Sequence, residues 1–160
     1  MTLPASPRAG AKIRLPNGYE HLHTGVLHDV VIKSAVKKQI QRRASEDQRT
    51  GLEGLVKRYA DHGSACIPTG KYNGNEGSYP TATGKRVRLE AFKVGQLRVY
   101  GFCEEFNSRR TFFITGFDAS KKQDRANQTI LKTSGTEAVS VIEYIEGAVK
   151  VGDENVQNRH

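Results

Sequence analysis

Residues 87–117 read VRLEAFKVGQLRVYGFCEEFNSRRTFFITGF, and the period of this stretch sets the expected fold. Val87, Leu89 and Ala91 alternate with Arg88, Glu90 and Phe92, the two-residue period of a strand with one face turned inward. Val94-Gly95 makes a turn into Gln96 to Cys103. There Leu97, Val99 and Cys103 share one face, while Arg98, Tyr100 and Phe102 share the other. Glu104 to Arg109 is a polar connection, and Arg110 to Phe117 is dense in β-branched and aromatic residues. A three-strand antiparallel meander is the economical topology.

Upstream, Val26, Leu27, Val30, Val31, Ala35, Val36 and Ile40 recur at helical spacing, which predicts a helix over 26–43. Lys33, Lys37, Lys38, Arg42 and Arg43 fill much of its opposite face. Ser45-Glu46-Asp47 breaks that helix and caps a second one, with Leu52, Leu55, Val56 and Tyr59 as its apolar stripe and Gly63 as its stop. The two segments make an α-hairpin. Ser64 to Lys85 holds Gly70, Gly74, Gly77, Gly84, Pro68 and Pro80 and reads as a long loop. Residues 1–25 read as a flexible N-terminal arm.

Downstream, Ser120 is placed to cap a polar helix reaching Lys132. Gly135-Thr136 starts a last helix with Val139, Ile142 and Ile145 on one side, and Gly147 ends it. Residues 147–160 read as a solvated tail. The whole is an α+β core around antiparallel strands.

The net charge of +8 favours polyanionic partners: nucleic acid, an acidic protein or a membrane surface. No apolar run approaches the roughly 18 residues of a membrane span, and the first ten residues do not read as a signal peptide. Cys66 and Cys103 have no ligand spacing, and a cytoplasmic protein with two thiols is the simplest reading. His21, His23 and His28 lack the cysteine or carboxylate partners that would complete a metal site. No metal and no cofactor is expected.

The informative constellation is Arg98 and Tyr100 on the middle strand, with Lys121 and Lys122 just beyond the end of the next. Arg88 and Lys93 flank them. Such cations on a sheet face bind a phosphodiester and stabilise charge that grows in a transition state. The same residues also fit an ordinary solvated strand face.

At these residues the chain resembles the RelE/HigB toxin superfamily of type II toxin–antitoxin modules, in its phage-derived HigB-like branch. The resemblance rests on Val87-Arg88-Leu89, on Val94 to Tyr100, on Phe112 to Phe117 and on Lys121-Lys122. It implies an α-hairpin packed on a small twisted antiparallel β-sheet with C-terminal helices, the toxin domain spanning residues 26–146. It implies metal-independent endoribonuclease cleavage of mRNA, usually on the ribosome, with a cognate antitoxin protein as partner and a homo-oligomer as a further option. Arg98, Lys121, Lys122 and Tyr100 take the catalytic positions. Arg88, Lys93, Arg110 and Arg125 take RNA-binding ones. The chemistry needs a proton acceptor for the 2′-hydroxyl, cations against the phosphorane and a proton donor for the leaving oxygen.

Two alternatives stand beside the endoribonuclease. One is a non-catalytic nucleic-acid-binding or regulatory module with salt-sensitive affinity. The other is a protein-interaction unit whose basic face docks an acidic partner.

Overall fold

The computed structural model describes residues 12–120 and 127–157. Its centre is a six-stranded mixed sheet of β1 (Tyr19–Thr24), β2 (Asp29–Lys33), β3 (Tyr72–Pro80), β4 (Arg86–Val94), β5 (Leu97–Phe106) and β6 (Arg109–Asp118). The strand order is β1-β2-β6-β5-β4-β3. Helices α1 (Ser34–Arg43) and α2 (Glu46–His62) pack on one face, and α3 (Gln128–Gln157) packs on the other.

This corrects the expected α-hairpin on a small antiparallel sheet with C-terminal helices. Two strands precede the helices, β2 runs parallel to β6, and among the described residues one long helix stands where two were expected. The predicted helix over 26–43 begins only at Ser34. Val30, Val31 and Ile32 are β-branched and all buried, Val30 and Ile32 under α1 and α2 and Val31 under α3. A strand buried on both faces reads as a continuous apolar run, which short windows cannot separate from a helix. β1 takes Tyr19–Thr24 from the expected arm and pairs antiparallel with β2.

The expected loop over 64–85 contains β3, an edge strand whose Gly77 and Pro80 are tolerated because one side has no neighbour. Its ladder with β4 shifts register between Asn73 and Gly77. Gly135 does not start a helix, and Gly147 does not end one, because α3 runs through both. The Tyr79 ring occupies the space that a Cβ on Gly135 would take, so this glycine serves a close approach. α3 also continues to Gln157, through most of the expected tail.

Other local signals hold. Ser45 caps α2 in a reciprocal box with Gln48, Gly63 closes it at φ 84°, and Leu52, Leu55, Val56 and Tyr59 are buried. β4, β5 and β6 form the expected antiparallel meander. Asn107 and Ser108, both at positive φ, make the tight β5–β6 turn. No helix among the described residues is long and apolar enough to cross a membrane.

Candidate functional site

β4 and β5 pair only along part of their length. Their ladder runs from Glu90 opposite Gly101 to Val94 opposite Leu97. Towards its start, β4 stays paired with β3 as far as Arg86, while β5 stays paired with β6 to Phe106. The two strands therefore part company, and each follows its outer neighbour.

Local sequence explains the parting. β6 carries an extra residue, Thr115, where its register against Tyr100 and Gly101 shifts, and such a bulge bends and twists a strand. At the same point the Phe113 carbonyl and the Phe112 ring fill the space a Cβ on Gly101 would need. β5 is thus drawn onto β6 and away from β4.

The gap is a cleft of about 410 Å3 lined by Arg86, Arg88, Glu90, Cys103 and Arg110, and it reaches Ile142 of α3. Alternation puts Arg86, Arg88 and Glu90 on the same side of β4 as Phe92, the side that α2 covers further along. The three arginines are exposed at the rim. Arg86 is braced by Ser78, donating to its Oγ at 2.8 Å and to its carbonyl at 3.1 Å. Lys85 and Glu104 form an ion pair of 3.0 Å, and both line the cleft. Arg88 forms no ion pair or hydrogen bond among the described residues, although its charge acts on Glu90 and Tyr72.

Glu90 is only 8% exposed. Its Oε1 accepts a hydrogen bond from the Tyr72 hydroxyl of β3. Burial pushes its carboxyl above the ordinary range, while the Tyr72 hydroxyl, Arg88, Arg110 and the Cys103 backbone oppose that rise. Beside it, Cys103 contacts the Tyr59 hydroxyl of α2, and burial pushes its thiol up to about 11. Cys103 is therefore a neutral thiol at pH 7, unsuited to nucleophilic work. Burial likewise raises the Tyr59 and Tyr72 hydroxyls, so both remain donors.

Arg98 and Tyr100, which the sequence placed at the candidate site, do not line this cleft. Tyr100 is 1% exposed in the core beneath α3, and burial lifts its hydroxyl to about 12. Arg98 donates to the carbonyls of Gly95 at 2.6 Å and Leu97 at 3.1 Å, bracing the β4–β5 turn. Lys93 lies opposite Arg98 in the ladder, on the other side of β4 from Arg88. Lys121, Lys122 and Arg125 lie outside the described residues. Of the expected RNA-binding set, Arg88 and Arg110 meet in the cleft.

Sequence reasoning missed Glu90, Tyr72, Cys103 and Arg86. The available signal was Glu90 itself, a carboxylate inside a strand otherwise rich in apolar residues and arginine. No family model matches the chain, nor does any curated protein or solved structure.

Proposed function

We propose that the chain acts on RNA, holding the phosphodiester backbone of a single strand in the cleft between β4 and β5. The observation that carries this reading is the convergence of Arg86, Arg88 and Arg110 on one cleft, with Arg88 lacking an ion-pair partner among the described residues. Planar guanidinium groups match phosphate oxygens in pairs, and a rim of three supplies both charge and direction. A cleft of about 410 Å3 has room for about one nucleotide, with flanking phosphates on the rim. The net charge of +8 draws the polyanion in.

In a toxin-type setting, this cleft takes the place of Arg98 and Tyr100 as the point where RNA is engaged. A cognate antitoxin with acidic side chains would inhibit by competing for the same guanidinium groups.

The test is fluorescence anisotropy with labelled 20-nucleotide single-stranded RNA across a salt series. Wild type binds with a log–log salt slope that falls by about 1.4 in Arg88→Ala/Arg110→Ala, at ~0.7 per lost phosphate contact. An unchanged slope and affinity in that variant rules the cleft out.

A further inference from the structure

We propose that Glu90 is the general base of an RNA-cleaving site in this cleft, taking the proton of a 2′-hydroxyl while Arg88 and Arg110 hold the adjacent phosphate. The inference rests on the RNA reading above and deepens it. It uses none of the four residues given catalytic positions from the sequence.

The cluster surrounding Glu90 supports the role. Arg88 stands two residues away on the same face of β4, Tyr72 approaches from β3, Cys103 from β5, Arg110 from β6, and Tyr59 reaches Cys103 from α2. The Tyr72 hydroxyl and the Cys103 backbone both hydrogen-bond the carboxylate and hold it in place at the cleft wall. A carboxylate so held, largely shielded from water and lining an arginine-rimmed cleft, has the position and restraint that proton transfer requires. Arg88 and Arg110 act on the carboxylate through their charge and form no ion pair with it among the described residues.

The step balances without a metal or a co-reactant other than water. The Glu90 carboxylate takes the 2′-hydroxyl proton as the 2′-oxygen bonds to phosphorus. Arg88 and Arg110 stabilise the charge on the non-bridging oxygens. The bond from phosphorus to the 5′-oxygen breaks, its electron pair stays on that oxygen, and water supplies its proton. Glu90 then returns its proton to solvent. The products are a 2′,3′-cyclic phosphate and a 5′-hydroxyl.

The experiment incubates the full chain with a 20-nucleotide single-stranded RNA in EDTA, with a fully 2′-O-methylated copy in parallel. Anisotropy gives binding, and gel mobility after phosphatase treatment identifies the cyclic end. The expected result is cleavage of the RNA alone, with Glu90→Gln binding within threefold of wild type and cleaving about 10²–10⁴ times more slowly. Tyr72→Phe, which removes the hydroxyl that favours the carboxylate, moves the ascending limb of the pH–rate profile to higher pH. Circular dichroism confirms that both variants are folded. If Glu90→Gln does not fold, the Tyr72→Phe profile decides, and an unmoved limb overturns the role of Glu90. Binding without cleavage overturns this inference and leaves the RNA reading intact. Absence of binding overturns both. Cleavage at the wild-type rate in Glu90→Gln removes Glu90 from the mechanism.

Discussion

The two ends of the β4–β5 pair use arginine in opposite ways. At the closed end Val94 faces Leu97 across a two-residue turn, and Arg98 donates into the carbonyls of Gly95 and Leu97. At the open end, beyond Glu90 and Gly101, the ladder stops and Arg86, Arg88 and Arg110 stand around a cleft. The closed end satisfies Arg98 within the protein, while at the open end Arg86 is held by Ser78 and the Arg88 side chain has no hydrogen-bond or ion-pair partner among the described residues. Whether a strand arginine is available to a ligand depends on whether the space beside its strand is filled.

The comparison is broken most severely from the closed end. Tyr100 lies in the core beneath α3, so Tyr100→Ala costs about 3–5 kcal/mol of stability, read by urea denaturation. Tyr100→Phe keeps the ring and leaves the RNA cleavage rate within twofold, which a catalytic hydroxyl would not permit. At the open end Arg88→Glu/Arg110→Glu lowers RNA affinity about 100-fold, or about 2.7 kcal/mol, with the denaturation midpoint nearly unchanged. Loss of affinity in Arg98→Ala of similar size would move the site back to the turn.

This contrast shows what could be read from the sequence. Local signals sufficed for the β4–β5–β6 meander and for α2, because alternation, the Ser45 cap and Gly63 act over a few residues. They failed for Val30-Val31-Ile32, whose burial on both faces is a consequence of the β6 neighbour and not of the segment itself. They failed for β3 too, since an edge strand rich in glycine and polar residues has loop composition. The candidate site was half legible. Arg88 and Arg110 were marked by charge, but their meeting depends on the Thr115 bulge and on Gly101 packing against Phe112 and Phe113. Arg98 and Tyr100 share a face as alternation demands, yet that face lies against α3.

Arg98→Ala should cost about 1 kcal/mol through its lost bonds to the turn carbonyls, with RNA affinity held within twofold. Glu90 supplies a pH test of the open end. Its folded carboxyl lies above the ordinary range because of burial, so its contribution is greatest below the unfolded value and is lost as pH rises through the folded one. Glu90→Gln carries no such titration. Its stability should therefore gain on wild type as pH is raised through and above the carboxylate range of about 4. A constant difference between the two proteins across that range would mean that Glu90 is as ionisable folded as unfolded.

The smallest effect separates the two thiols without altering the fold. Cys66 is exposed in the 3-10 turn Ser64–Cys66, whereas Cys103 is packed against Tyr59 with its thiol raised to about 11. Only the thiolate reacts with an alkylating agent. Iodoacetamide at pH 8 should therefore modify Cys66 in the native protein and reach Cys103 only in denaturant, as peptide mass spectrometry would record. Rapid native labelling of Cys103 would mean that the cleft between β4 and β5 opens to the Tyr59 contact. In that case Glu90, whose shielding depends on the same wall, would be hydrated, and its upward shift would shrink with it. The labelling rate of one cysteine thus measures how dry the open end is kept.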